Sequence, residues 1–235
     1  QLKRANYSSS IMGRTKGSKN KLKTLETKEI IIQGTEYWVN RILDDKKLDW
    51  NMGEKDWLEG YEISKGHSHR RQILEELKKI HFESLLEVGC NSGPNISLIR
   101  EDFNLKDYDI CGIDVNADAI AKAKEKLPAI NWHQASVLQI PYEDKQFDVV
   151  LADAILMYIN NKEIGKALSE MARVSRGNII IVDWFSEKEK MVDFHWARDY
   201  GKMLEEFGYE TVKTKINWPT SSWTKHGYIF VSHLQ

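Results

Sequence analysis

Two cysteines and four prolines are all that the 235 residues contain of either type. A disulfide framework and a cysteine-based zinc site are thereby excluded. Cys90 and Cys111 lie in apolar, strand-like surroundings and read as buried free thiols, the state a reducing compartment maintains. No apolar run approaches the ~18 residues that a membrane span needs, and no secretory signal is visible. These absences predict a cytoplasmic protein with no membrane partner. The three-glycine fingerprint of dinucleotide-binding loops is also missing. Met12 reads as the native start.

What is present is a well-supplied core and an uneven charge. Apolar residues make up 41% and charged residues 29%, with a net charge of −1. That suits one α/β domain with an appendage, or two small domains. Residues 1–28 hold eight basic side chains against the single acid Glu26, so the remainder carries a balance of −8. A basic tail precedes an acidic body.

Residues 1–23 are polar and aperiodic and are expected to be a disordered tail. Residues 24–69 are read as a helical lid or substrate segment. Three of the eight tryptophans, Trp38, Trp50 and Trp57, fall in it. Helices are expected over 25–46 and 54–80, where "RRQILEELKKI" puts Ile73, Leu74, Leu77 and Ile80 on one face. From residue 84 apolar strand patterns (84–88, 109–113, 130–135, 147–152, 178–183) alternate with helical ones (94–101, 116–126, 161–174). Near-continuous apolar strands between helices predict a doubly wound, mostly parallel α/β sheet. A helix over 194–207 is then followed by "YETVKTKI" and "HGYIFVSHL". These two strands are joined only by a loop, so they should pair antiparallel.

The stretch "LLEVGCNSGPNI" ends a buried strand on an acid, Glu87, and turns through Gly89 and Gly93. Glycine permits a tight turn and close approach of the backbone to a ligand. Pro94 suits the first position of the next helix. In a doubly wound sheet such a turn is a ligand cradle. Asn91 occupies the place of the middle glycine of the dinucleotide fingerprint, and an acid this close would repel a pyrophosphate. A ligand with an ammonium or sulfonium group would be favoured instead. Asp114, at the tip of the next strand, is placed to accept the hydroxyls of a ribose; alternatively its turn only caps the helix that Asn116 begins.

"LLEVGCNSG", "CGIDVNADAI", "HQASVLQIPYEDKQFDVVLADAILMYI" and "RGNIIIVDWF" occur in an order and spacing that resemble class I S-adenosylmethionine-dependent methyltransferases, of the type 11/25 kind, over residues 70–235. The resemblance implies a Rossmann-like seven-stranded sheet with a C-terminal antiparallel hairpin, and S-adenosyl-L-methionine as cofactor, leaving as S-adenosyl-L-homocysteine. It implies that Glu87, Gly89, Cys90 and Gly93 line the methionine part, that Asp114 holds the ribose and that Val115 packs on adenine. Ser136 stands where the family often has an acid for the adenine amine, and Val137 offers a backbone N–H. Asp153 falls where the family approaches both cofactor and substrate. "EVGCNSGPNI", "ILMYI" and "RDYGKMLEEFG" further resemble small methylases found with sialic-acid-like sugar biosynthesis.

Methyl transfer from a sulfonium needs alignment more than a fixed catalytic motif. The candidate catalytic residues are Asp153, Tyr158 and Asp183, with Trp184 at the same rim. Asp153 either faces the acceptor or caps the next segment. His67 and His69 either form part of a lid or lie in a solvated turn; their H-x-H spacing has no matching cluster, so no metal is expected. His195, Arg198 and Asp199 read as a helix-face salt bridge. In "GRTKGSKNK" an AT-hook-like pattern has Thr15 where its proline would be. Residues 12–28 are thus either a solvated tail or a contact for a polyanion such as nucleic acid. The expected partner is a small-molecule or sugar-type acceptor. The alternatives are a nucleic-acid methyltransferase and a non-catalytic cofactor-binding module. Against the former, "ADAILMY" lacks the Asn/Asp-Pro-Pro-aromatic motif that holds a flipped base.

Overall fold

The computed structural model describes Trp38, Gly60 and residues 64–192, 195–217 and 221–235. The basic tail, most of the 24–69 segment and, apart from the helical Trp38, the helix expected over 25–46 lie outside these residues. Seven strands form one sheet: β1 (Leu85–Val88), β2 (Ile110–Asp114), β3 (Asn131–Gln134), β4 (Phe147–Asp153), β5 (Ser175–Trp184), β8 (Tyr209–Lys215) and β9 (Gly227–Leu234). Their order is β3-β2-β1-β4-β5-β9-β8. The first five run parallel. β9 is antiparallel to both β5 and β8. The doubly wound sheet with its terminal hairpin is the architecture that the alternating pattern predicts.

The helices are α1 (Ser68–Leu77), α2 (Pro94–Asp102), α3 (Ala117–Lys126), α4 (Ile164–Val174), α5 (Tyr200–Leu204) and α6 (Ser221–His226). None among the described residues is long and apolar enough to cross a membrane. Every residue of β1 is buried, because a central parallel strand has a core on each face. One core gathers Leu86, Val88, Val150, Ile179 and Ile181 with α4 residues such as Leu168 and Met171. The other gathers Leu85, Val149, Leu151 and Ile180 with Ile73 and Leu77 of α1 and Ile96 of α2. The apolar stripe of "RRQILEELKKI" therefore faces the sheet as expected, with Ile80 partly buried at its end.

Two helix expectations are corrected. Of the 54–80 span, the described residues show Gly60 in a helix, a 3-10 turn at Ser64–Gly66 and a helix from Ser68, so the span is broken rather than continuous. The helix expected over 194–207 is instead a strand, β7 (His195–Ala197), then α5 and a 3-10 turn at Glu205–Phe207. β7 pairs antiparallel with β6 (Lys190–Val192). The cause is pairing with the chain at the end of β5: the Arg198 N–H donates to the Trp184 carbonyl (3.0 Å) and the Ser186 N–H to the Arg198 carbonyl (3.3 Å). Backbone committed to the end of β5 cannot begin a helix. That start waits for Asp199, whose carboxylate accepts from the Lys202 N–H at 3.2 Å in the manner of an N-cap.

The order β1-β4 at the centre reverses the direction of winding. The crevice outside the carboxyl ends of these two strands is where such sheets bind ligands. Glu87 and Asp153 stand at those ends.

Candidate active site

The loop after β1 is built from three left-handed residues: Gly89 (φ 69°), Asn91 (φ 51°) and Gly93 (φ 79°). A side chain at Gly89 would collide with Ile155, and one at Gly93 with the Trp132 ring, 2.5 Å from the position of its Cβ. Only glycine fits either place. The side-chain direction at Gly93 is thus filled by Trp132 of β3, and only the Gly93 backbone is left to meet a ligand. Trp132 is buried and fixed by its indole N–H on the Leu127 carbonyl at 2.9 Å. The loop is propped from behind by the protein itself.

In front of the loop lies a buried network. Glu87 Oε1 accepts from Asn95 Nδ2 at 2.7 Å. The same Asn95 nitrogen reaches Asp153 Oδ2 at 2.9 Å. Arg70 donates to that Asp153 oxygen at 3.1 Å and to Asn95 Oδ1 at 2.5 Å. His69 Nε2 lies 3.2 Å from it as well. Burial lowers the His69 pKa, so the neutral ring serves as a donor. One oxygen of Asp153 is therefore crowded with donors. Its other oxygen, Oδ1, and Oε2 of Glu87 are buried and have no hydrogen-bond partner among the described residues.

The two acids differ electrostatically. Burial pushes the Glu87 carboxyl up to about 8; the Asn95 hydrogen bond opposes this, and the charges of Asp153 and Asp114 add to it. Burial also pushes Asp153 up, but its contacts with His69 and Arg70 outweigh that and hold it well below the usual carboxylate range. A buried carboxylate oxygen with no donor is costly unless a donor arrives. Two such oxygens at the switch point suit a cationic group, whose charge would draw Glu87 into its ionised form.

Asp114 stands beside them. Its Oδ2 accepts from the Asn91 N–H (2.8 Å) and its Oδ1 from the Asn116 N–H (2.9 Å). Burial raises its pKa and these backbone N–H groups lower it in part. Each oxygen keeps a lone pair, so the turn-holding and ribose-holding roles are compatible. Asn116 caps α3 through Ala119 N–H at 2.9 Å. Its Nδ2 also donates to the Trp38 carbonyl at 2.8 Å, tying the N-terminal segment to the tip of β2.

Other expected cofactor residues fall into place unequally. The Cys90 side chain belongs to the core, and burial drives its thiol pKa well up; only its backbone can face a ligand. Val137 likewise points into the core. Ser136 is half-buried, and its hydroxyl accepts from the Leu138 N–H at 3.1 Å. Val115 is half-buried too, its carbonyl taken by Gln134 Nε2 at 3.0 Å.

The expected catalytic residues separate. Asp153 is the last residue of β4 and joins the network of Glu87, Asn95, Arg70 and His69. Asp183 is fully buried. Its oxygens accept from Met157 N–H (3.1 Å) and Trp184 N–H (2.8 Å). Burial raises its pKa to about 7, against these hydrogen bonds and the Arg198 charge. Arg198, also buried, donates to the carbonyls of Leu156 (3.1 Å) and Ile159 (2.8 Å) and pairs with Glu189 at 2.6 Å. It is not a helix-face residue, as its spacing suggested. Asp183 and Arg198 together clamp the turn at Leu156–Tyr158. Tyr158 is half-buried, with its ring against Trp38 and His195.

Sequence reasoning passed over Asn95 and Arg70. "GPN" and "RR" give little warning, since neighbouring Arg71 is exposed. No group of three or more His, Cys, Asp or Glu that could hold a metal occurs among the described residues.

Residues 85–178 match the family model of a methyltransferase domain. The ubiquinone/menaquinone biosynthesis C-methyltransferase of Campylobacter jejuni is 28% identical over 138 residues, 56% of this chain and 58% of that protein. Phosphoethanolamine N-methyltransferase 3 of Arabidopsis thaliana is 23% identical over 175 residues, 68% of this chain and 35% of that one. The chain thus spans less than two thirds of the length of these curated relatives. Magnesium protoporphyrin IX methyltransferase of Synechocystis PCC 6803, solved with bound S-adenosylmethionine, shares the fold at a TM-score of 0.54 and 15% identity, over 91% of this chain and 97% of that one. The matched residues resemble a methyltransferase domain, and the chain shares the fold of solved S-adenosylmethionine-dependent methyltransferases.

Proposed function

We propose that this chain transfers a methyl group from S-adenosyl-L-methionine to a small-molecule acceptor. The observation that carries the reading is the pair of buried, unpartnered carboxylate oxygens, Glu87 Oε2 and Asp153 Oδ1, at the switch point of the sheet. They suit the ammonium group of the methionine part. Asp114 would accept from the ribose. When bound, the cofactor supplies a methyl group on a sulfonium with a neutral thioether as leaving group.

The protein's own part is placement. Arg70, His69 and Asn95 hold Asp153 in one rotamer and ionised. Asp183 and Arg198 fix the turn that carries Tyr158 beside the transfer path. Alignment of this kind supplies much of the acceleration of an in-line displacement. A general base is required only if the acceptor must lose a proton early. The relatives support a small acceptor, since their names concern phosphoethanolamine, quinone biosynthesis and magnesium protoporphyrin.

Calorimetric titration of the full chain with S-adenosylhomocysteine, with NAD as control, is the test. Micromolar binding of the first and none of the second is expected. A folded chain that ignores S-adenosylhomocysteine removes the reading.

A further inference from the structure

The end of the sheet opposite Glu87 and Asp153 carries a second concavity. At the amino ends of β1 to β4, a cavity of about 510 Å³ is lined by residues that include Ser84, Asp109, Cys111, Tyr142, Phe147 and Asp148. That volume falls in the range of small-molecule sites. Asp109 precedes β2 and Asp114 ends it. At ~3.3 Å per residue, roughly 16 Å of strand therefore separates this cavity from the crevice at the carboxyl ends.

Its floor is apolar and its mouth is acidic. Cys111 and Phe147 are 4% and 2% exposed. The Tyr142 ring meets Phe147 edge-on, with centroids 4.9 Å apart, and His133 at 5.6 Å. The Tyr142 hydroxyl is buried with no oxygen or nitrogen partner among the described residues, and its neighbour is the Cys111 thiol. At the mouth stand three acids, Glu83, Asp109 and Asp148, and one base, Arg176. Asp148 and Arg176 are spent on the fold. Asp148 accepts from the Glu83 and Ser84 N–H groups (2.9 and 3.0 Å) and pairs with Arg176. The carboxylates of Asp109 and Glu83 have no such contacts among the described residues. Burial raises the Cys111 pKa and the Asp109 charge adds to it, so this carboxylate is felt at the floor.

These features select by charge. An anion would meet two uncompensated carboxylates, with the one base already paired. A bare metal ion finds no group of three or more His, Cys, Asp or Glu to hold it among the described residues. An organic ammonium gains a charge-assisted hydrogen bond at the mouth, and a flat apolar body behind it covers the floor. We propose that this cavity binds a protonated arylalkylamine, with its ammonium on Asp109 and its ring against Tyr142 and Phe147. The methyl-transfer chemistry does not call for such a ligand. The site is a second one and stands independently of the methyltransferase reading.

The test is calorimetry on the full chain with 2-phenylethylamine, 2-phenylethanol and phenylacetate, each with and without S-adenosylhomocysteine. The amine is expected to bind with the same affinity in both conditions, the alcohol roughly tenfold more weakly, the scale of a lost charge-assisted hydrogen bond, and the carboxylate not at all. Asp109→Asn, in a chain whose circular dichroism is unchanged, should weaken the amine by a similar factor. Glu206→Gln, at an exposed acid beyond the other edge of the sheet, should leave it alone. Amide NMR shifts caused by the amine in the unaltered chain should fall at residues 109–111 and 146–148. No binding of the amine would overturn the proposal, as would alcohol or carboxylate binding as tight as the amine's. Competition by S-adenosylhomocysteine, or shifts confined to residues 87–93 and 153, would place the amine in the other crevice and also overturn it. Equal effects of the two substitutions would reduce the binding to general attraction of charge and do the same.

Discussion

Glu87 and Asp183 are two acids in one sheet with nearly the same burial and different fates. Each ends or nearly ends a central strand, β1 or β5, and each is pushed above the usual carboxylate range, to about 8 and about 7. Asp183 spends both oxygens on backbone N–H groups of its own neighbourhood. Glu87 has one oxygen on Asn95 and the other on nothing described. Burial and a raised pKa are therefore common to an acid whose oxygens are all used within the protein and to one with an oxygen left over. The distinction lies in which oxygens the protein leaves without a donor.

The contrast can be broken by mutation. Asp183→Ala strands two buried N–H groups and should cost roughly 2–4 kcal/mol of folding stability in urea titration. Cofactor affinity at permissive temperature should hardly change; a large loss would make Asp183 part of the ligand site. Glu87→Gln should do the reverse. Losing the charged acceptor is expected to weaken S-adenosylhomocysteine binding by about 1.5–3 kcal/mol, measured by calorimetry, in a chain that still folds. Asp114→Ala should cost ~1–3 kcal/mol of the same affinity; an unchanged Kd in a folded variant takes Asp114 out of the site.

pH sharpens the comparison. Without ligand, the folded chain binds the Glu87 proton more tightly than the unfolded chain does. The stability this gives is fully present below the ordinary value of 4.5 and is lost as pH rises towards about 8. Glu87→Gln should therefore match the wild type in Tm at pH 4.5 and exceed it at pH 8. Equal Tm values at both would mean that Glu87 is already ionised or better solvated than its burial implies. The smallest effect is expected from deleting residues 1–23: cofactor affinity should stay the same.

The central sheet was legible because strands buried on both faces leave long apolar runs, as in "LLEV" and "VVLA". The β6–β7 hairpin was not. Its strands are three residues each, too short for alternation to show, and the hydrogen bonds that stop a helix there come from β5, far away in sequence. The places of Glu87, Gly89, Gly93 and Asp114 at strand ends and in a tight turn were legible from local turn chemistry. Arg70, Asn95 and Arg198 were not, because polar residues on a helix or after a strand give no sign of which way they face. Only the packing makes Arg70 buried and Arg71 exposed.

Trp132 lends the glycine loop a kinetic character. Since a side chain of β3 already fills the space behind Gly93, the loop holds its shape before any ligand arrives. Little ordering of that loop remains to be done on encounter, so the cofactor's on-rate should depend weakly on loop motion. Shaving the indole, as in Trp132→Leu, would move the cost of shaping the cradle from folding to the moment of binding, and slow association would be its signature.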